Sequence, residues 1–389
     1  MDRLSHNPRH KAFDNQSSDG RPLRILIVAP SLDILGGQAV QATRLIARLK
    51  EEPALEVSFL PINPRLPGVL RRLQAIKYVR TVVTTLLYIA TLLVRVRAYD
   101  VIHVFSASYF SFVLSPTPAI LVAKLYGKKV MLNYRSGEAE DHLTRWRKTA
   151  LPIIRLADKV VVPSGYLVEV FGRFGVRAES IANTVDLARF KFRARLPLRP
   201  VILSNRNLES LYNVECVLRA FAIVQKRVSD ARLIVAGDGS ERARLESLSK
   251  GLGIKSVEFI GQVSPERMPD LYDKADIFVN ASNIDNMPVS HIEAFASGLA
   301  VVTTDAGGIP YIVANERNGL VVPCGDYEAV ARSVIALLEE PEMADRLIKT
   351  ARADCEKYTW SAVREEWLAT YAEIAGRARV GAEQVTANA

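Results

Sequence analysis

The chain is poor in cysteine, with only Cys216, Cys324 and Cys355 among 389 residues. Three scattered cysteines exclude a disulfide framework. Without a Cys-x-x-Cys pair, neither a structural zinc site nor a thioredoxin-type site is supported, and a reducing compartment fits best. Several signatures are also missing. There is no Gly-x4-Gly-Lys-Ser/Thr phosphate loop, no His-Glu-x-x-His and no Gly-x-Ser-x-Gly elbow, which removes the chemistries that need them. No Asp-x-Asp occurs, so no divalent metal is expected at a diphosphate site. The glycines near Gly36-Gly37 do not complete Gly-x-Gly-x-x-Gly, which disfavours a nicotinamide dehydrogenase. Residues 1–21 are polar and lack an apolar h-region; they read as a disordered tail rather than a signal peptide.

Apolar residues make up 49% and charged residues 24%, the balance of a soluble globular protein of two or three domains. The net charge of +9 is unevenly spread. Residues 1–200 carry 31 Lys and Arg against 15 Asp and Glu, and the remainder 20 against 27. A basic half attracts phosphate-bearing partners or an anionic membrane face. No nucleic-acid partner is expected. Within that half, Thr81–Val94 is a run of 14 uncharged residues, preceded by Arg71, Arg72, Lys77 and Arg80 and followed by Arg95 and Arg97. The run is shorter than the roughly 20 residues of a membrane span. Two readings stay open: a buried helix of the first domain, or an apolar and basic element at the membrane surface.

Short runs rich in Val, Ile and Leu recur along the chain. In the first half they are Ile25–Ala29, Val57–Leu60, Val101–Phe105, Val130–Asn133 and Lys159–Val162. In the second they are Val201–Ser204, Leu233–Ala236, Val257–Ile260, Ile277–Asn280, Ala300–Thr303 and Leu320–Val322. Helical windows such as Val214–Arg227 and Glu241–Leu252 separate them. Buried strands alternating with helices imply parallel sheets covered on both faces, and the two rounds imply two doubly wound domains. The Pro- and Arg-rich stretch Arg193–Arg199 marks the break. Ligands in such sheets bind beyond the carboxyl ends of the strands. Glycines follow four of those ends: Gly36-Gly37, Gly237 and Gly239, Gly261, and Gly307-Gly308. They would let backbone approach a phosphate closely, or serve only as tight turns.

The stretch Asn283–Pro323, NIDNMPVSHIEAFASGLAVVTTDAGGIPYIVANERNGLVVP, closely resembles the donor-site signature of retaining GT-B glycosyltransferases of family 4. That signature sets an acid, seven residues and a Glu ahead of a Gly-Gly turn. Here Glu293 is the second acid, and Asp285 stands where the family usually has Glu. Other stretches resemble the family in the same order: Ala29–Gly37, the first loop, which there faces the donor phosphates; Ser180–Phe190, with Thr184 in place of a glycine; Ala231–Gly239; and Val257–Val263. Tyr358–Tyr371 resembles the last helix, which in that fold crosses back to the first domain. Two departures stand out. Ser204–Val214 keeps Arg206, but Tyr212 or Asn213 falls where the family has a Lys on the diphosphate. Arg135 replaces a common histidine near the sugar.

The resemblance implies an α/β protein of GT-B fold, two Rossmann-like doubly wound domains facing a central cleft. Residues 22–195 would form the acceptor-side domain, 196–357 the nucleotide-sugar-binding domain and 358–375 the crossing helix. Sugar transfer breaks a C–O bond with an oxocarbenium-like transition state, and without a metal the departing diphosphate must be offset by fixed cations and N–H groups. Arg206, with its bidentate fork, is the leading cation. Arg135 would add a second. A carboxylate is acceptor-only and suits the vicinal hydroxyls of a ribose, the role of the residue matching Glu293 in the family. Asp285 would orient the sugar. Gly36, Gly37, Gly237, Gly239, Gly261, Val263, Met287, Val289, Gly307 and Gly308 would complete the donor site. Ser136, Glu138 and His142 would line the acceptor side, and His103 reads as structural. The implied reaction moves a sugar from a UDP- or GDP-sugar, with retention, to a saccharide or lipid-linked acceptor in cell-surface polysaccharide or glycolipid assembly. No cofactor is needed, and the site would be cytoplasmic, peripheral at the inner membrane face. Two alternatives remain: a non-catalytic GT-B protein that binds a nucleotide sugar or a partner enzyme, and a GT-B-like epimerase of nucleotide sugars.

Overall fold

The computed structural model describes residues 21–31, 37–64, 76–106 and 108–376. Gly36, Arg71, Arg72 and nearly all of the tail read from the sequence lie outside them.

Among the described residues, twelve strands form two sheets. The first half supplies β1 (Leu23–Ala29), β2 (Leu55–Pro61), β3 (Val101–Ser106), β4 (Lys129–Tyr134), β5 (Lys159–Val162) and β6 (Glu179–Ser180). The second supplies β7 (Val201–Ser204), β8 (Arg232–Ala236), β9 (Val257–Gly261), β10 (Ile277–Asn280), β11 (Ala300–Thr304) and β12 (Leu320–Val322). Their orders are β2-β1-β3-β4-β5-β6 and β12-β11-β10-β7-β8-β9. Every strand pairing among the described residues is parallel. All eleven apolar runs become strands. The twelfth, Glu179–Ser180, has no apolar run to announce it.

Strand alternation explains why the runs are continuously apolar. Along β1, Leu26 and Val28 enter one core cluster while Leu23, Ile25, Ile27 and Ala29 enter the cluster on the opposite face. In the second sheet, Ala300 and Val302 of β11 face one cluster and Val301 the other. Both faces of each sheet are thus buried, as helix-covered parallel sheets require. Local signals punctuate the helices. Asn213, in the left-handed region at φ 45°, caps Val214–Arg227 by accepting from the Cys216 N–H. Asp326 caps Tyr327–Glu339 through the Ala329 N–H, the usual use of short polar side chains at a helix start.

The helix Trp360–Ile374 returns to the first sheet. Its Val363, Trp367, Tyr371 and Ile374 share a core with Ile25, Val101, Phe105 and Met131. Arg364 pairs with Glu52 at 2.5 Å and Glu373 with Lys159 at 2.8 Å. The two domains are also sewn together near their strand ends: Ser164 donates to Asn286 Oδ1, and Tyr311 to Glu169.

The apolar run in the first domain becomes the helix Lys77–Arg95. The buried-helix reading is corrected here, because only 17% of its most apolar window lies inside the protein. Tyr88 and Leu92 anchor one side, while Val82, Leu86 and Val94 face outward. The exclusion of a span by length is corrected as well. Counted through the flanking residues, Val79–Ala98 is 20 residues of mean hydropathy 1.6, long and apolar enough to cross a membrane by those two criteria alone.

Candidate active site

A cleft of about 460 Å³ lies between the domains. It is lined by segments that follow strand carboxyl ends, where ligands sit in open parallel sheets: Arg135 to Glu138 after β4, Asn205 to Asn207 after β7, Gln262 and Val263 after β9, and Ile284 to Glu293 after β10. The start of the helix Gly37–Lys50 closes it from the first domain. Of the residues singled out in the sequence, Gly37, Arg135, Ser136, Glu138, Arg206, Val263, Asp285, Met287, Val289 and Glu293 line this one space.

Arg206 meets Asp285 at 2.6 Å, both largely buried. Its guanidinium lies 4.1 Å from the centroid of the Tyr212 ring. Tyr212, one of the two residues that fall in the sequence where the family has a lysine, stacks under the arginine, a cation–π contact strongest when desolvated. Asn213, the other residue aligned there, is the helix cap already described. The Nε of Arg206 is buried and has no partner among the described residues, so donor capacity remains toward a ligand.

Glu293 sits in the helix Val289–Ser297, which Pro288 precedes and Gly298 ends at φ 77°. Tyr272 donates to its Oε2 at 3.1 Å. Its Oε1 accepts from Arg44 Nη2 at 3.0 Å. Arg44 belongs to the helix Gly37–Lys50 of the other domain, and also approaches the Thr184 carbonyl at 3.4 Å. Sequence reasoning missed it. Arg44 follows Gly37, Val40 and Gln41 by helical spacing, and that cleft-facing stripe was its available signal. Two acceptor directions of Glu293 are used, which leaves the remaining lone pairs to a ligand.

Arg135 has no carboxylate within 4 Å among the described residues. Its Nη1 donates to Asn133 Oδ1 at 3.2 Å and its Nη2 to Asn183 Oδ1, with Phe105 under the guanidinium at 5.3 Å. Burial lowers its pKa to about 10, so it is charged at neutral pH.

The expected cradling of a phosphate by Gly237, Gly239, Gly261, Gly307 and Gly308 is corrected, because none of the five lines the cleft. Gly37 does line it, and Gly36 lies outside the described residues. A Cβ on Gly237, whose φ is 139°, would lie 2.1 Å from the Arg206 carbonyl oxygen, and one on Gly239 would lie 2.4 Å from that of Leu208. Cβ atoms on Gly307 and Gly308 would lie 2.2 Å from the Asp285 carbonyl oxygen and 1.8 Å from that of Asn286. The Gly308 N–H is already donated to Asp285 at 3.2 Å, and the Gly237 N–H to Gly261 at 2.8 Å. Gly261, at φ 72°, turns the chain out of β9. These residues let the backbones bearing Arg206 and Asp285 pass close behind the cleft, where any side chain would displace them.

His142 is corrected too. It is wholly buried in the first domain, 2.8 Å from the Tyr134 hydroxyl and ringed by Tyr109 and Phe112. Burial pushes its pKa down to about 4. His103 is fully buried as expected, with its pKa near 3 for the same cause. His291 behaves alike and contacts Thr303 at 2.8 Å.

Comparison with known proteins agrees with this geometry. Residues 189–354 match the family described as Glycosyl transferases group 1. An N-acetylgalactosaminyltransferase of Campylobacter jejuni, named for an undecaprenol-diphosphate-linked substrate, is 27% identical over 228 residues, covering 58% of this chain and 60% of that protein. A phosphatidyl-myo-inositol mannosyltransferase of Mycobacterium leprae is 27% identical over 237 residues, covering 60% and 58%. The chain thus spans about 60% of the length of these relatives. Among solved structures, Anabaena HepE in complex with UDP-glucose superposes with a TM-score of 0.72 at 15% identity, covering 90% of this chain and all of that one. Sucrose-phosphate synthase of Thermosynechococcus elongatus gives 0.73 at 20% identity, covering 90% and 99%. The architecture is that of two Rossmann-like domains in the GT-B arrangement.

Proposed function

We propose that this chain, whose residues 189–354 match the glycosyl transferases group 1, moves a hexose from a nucleotide-sugar donor to a saccharide or lipid-linked acceptor. The observation that carries the reading is the convergence of Arg206, Asp285 and Glu293, from separate stretches of the second domain, on one interdomain cleft. Glu293 receives the ribose hydroxyls of a UDP- or GDP-sugar with the lone pairs that Tyr272 and Arg44 leave free. Arg206 answers the diphosphate with its unpartnered Nε while Asp285 holds its far side and faces the sugar. Val289 and Ser290, the first turn of the helix that bears Glu293, line the same space, and a helix N-terminus favours anionic oxygen. Arg135 supplies the charge that a lysine would otherwise bring. Fixed donors of this kind stabilise the leaving diphosphate without metal, since they need no reorganisation as charge develops. Anomeric configuration is retained, and the cleft edge at Ser136 and Glu138 takes the acceptor.

The test is hydrolysis of a panel of UDP- and GDP-sugars by the full chain, against Glu293→Ala and Arg206→Ala. Turnover above both variants is expected. Wild-type turnover no greater than theirs, with and without membrane extract as acceptor, rejects the reading.

A second observation favours an acceptor at a membrane. Among the described residues, the helix Lys77–Arg95 is packed on one side, through Tyr88 and Leu92, with the Tyr88 hydroxyl donating to the Ser115 carbonyl at 3.0 Å. Val82, Leu86 and Val94 are exposed, and the helix packs on Pro116–Leu125, where Leu121 and Leu125 are exposed as well. With Arg80, Arg95 and Arg97 nearby, this surface suits shallow contact with an anionic bilayer at the inner face of the membrane. Flotation on phosphatidylglycerol vesicles at low salt, lost in Leu86→Glu/Val94→Glu, is the expected outcome. Equal flotation of that variant refutes it.

A further inference from the structure

We propose that Arg135 sets the direction of a continuous line of hydrogen bonds, from Tyr371 in the returning helix through His103, Asn133 and Asn183 to the Met287 carbonyl. Asn183 and His103 thereby become positioning residues for the Asp285–Met287 loop. The importance of that loop rests on the sugar-transfer reading; the direction of the line does not.

A guanidinium can only donate. Arg135 Nη1 therefore turns the Asn133 amide so that Oδ1 faces it, and Nη2 does the same to Asn183. Each amide must then present its NH2 group on the other side. For Asn183 that group donates to the Met287 carbonyl at 2.9 Å. The Asn183 backbone N–H adds a contact to the Met287 sulfur at 3.1 Å. For Asn133 the NH2 group points at His103 Nε2, 3.1 Å away. An amide nitrogen cannot accept, so Nε2 must carry a lone pair. The ring is wholly buried beside a cation, which keeps it neutral. Its one proton is then on Nδ1 and is donated to the Tyr371 hydroxyl oxygen at 2.6 Å. One fixed charge thus decides two amide orientations and one histidine tautomer, which are otherwise free to choose.

The consequence for the cleft is local. Met287 follows Asp285 by two residues and precedes the helix that bears Glu293. Ser164 holds Asn286 and the Gly308 N–H holds the Asp285 carbonyl. The clasp on Met287 fixes the third residue of the loop. The line ties this loop to the first domain's sheet and, through Tyr371, to the last helix, so the three parts of the chain share one hydrogen-bonded register across the cleft. Burial makes it a demanding arrangement, since a reversed amide would set oxygen against oxygen at Met287.

The line is tested by nuclear magnetic resonance on full-length protein with 15N-labelled histidine, with His103→Gln assigning the signal. His103 in the Nδ1–H form is expected, changing to a mixed or Nε2–H form in Arg135→Met. An Nε2–H ring in the wild type, or an unchanged tautomer in the variant, overturns the proposal. The functional arm is Asn183→Asp, which keeps shape and still satisfies Arg135 but puts a carboxylate oxygen against the Met287 carbonyl. Donor hydrolysis is expected to fall in kcat by about tenfold or more with KM moved less than about threefold, the signature of misplacement rather than lost binding. Unchanged kcat removes Asn183 from the positioning role. A wild type without turnover strikes the sugar-transfer reading, and the tautomer arm then decides the line alone.

Discussion

Replacement of Glu293 by Gln probes the donor site with little change of shape. In the folded protein the carboxylate accepts from Arg44 at 3.0 Å and from Tyr272 at 3.1 Å. The glutamine carbonyl can keep the Arg44 contact while its NH2 group turns to Tyr272. The tyrosine hydroxyl can then accept and send its proton to the Ser290 carbonyl, 3.2 Å away. The fold therefore loses mainly the ionic part of one largely buried pair, about 1–2 kcal/mol. A ligand diol loses more. Hydrogen bonds to a charged acceptor exceed neutral ones by about 1 kcal/mol each, so two hydroxyls forfeit about 2 kcal/mol. That is roughly a 30-fold rise in Kd. Calorimetry with UDP and GDP, each beside its 2′-deoxy form, checks the cause. The deoxy nucleotide should bind the wild type more weakly yet lose less than the parent when Glu293 is replaced, because part of the contact is already gone. Equal losses for parent and deoxy forms would show that Glu293 does not touch the ribose and would refute the reasoning.

Arg206→Lys removes both the fork and the stack on Tyr212; donor hydrolysis is expected to fall about 100-fold, more than a charge-only role predicts, and steady-state kinetics on protein that remains folded at the assay temperature would show this. Gly308→Ala forces a methyl into the Asn286 carbonyl; the loop must shift, so turnover should drop while circular dichroism stays native, and full activity would mean that the turn yields freely. Stability should also depend on pH through His103 and His291, whose folded pKa values near 3 lie below the unfolded 6.5. The unfolded chain then binds more protons, so stability is complete above about pH 6.5 and falls on acidification, by up to about 1.4 kcal/mol per pH unit for each ring. Urea midpoints from pH 7 to pH 5 measure the slope, which should lessen in His103→Gln; a flat profile contradicts the burial.

Eleven of the twelve strands were legible because the inner ones are buried on both faces and so must be apolar along their length, while the edge strands β2 and β9, only half-buried, still carry short apolar runs; local sequence records both directly. β6 was not, since two residues pairing at a sheet edge with exposure on one side need no apolar run. The cleft residues of the second domain were legible through the spacing of Asp285 and Glu293, which one loop and one helix fix over eight positions. Arg44 was not, because its partner is 249 positions away and only the docking of the two domains brings it there. The glycine pairs could be seen but not interpreted: whether a missing Cβ serves a ligand or a neighbouring carbonyl depends on what lies behind it. The same holds for Thr81–Val94, where composition set an apolar helix but only packing decided which side was left uncovered. By itself the sequence determined elements, their alternation and the residue types at the strand ends, because those follow from burial and spacing along the chain. Tertiary structure alone decided which charges meet across the cleft and which way the buried amides point, because those follow from distances between segments that no local pattern encodes.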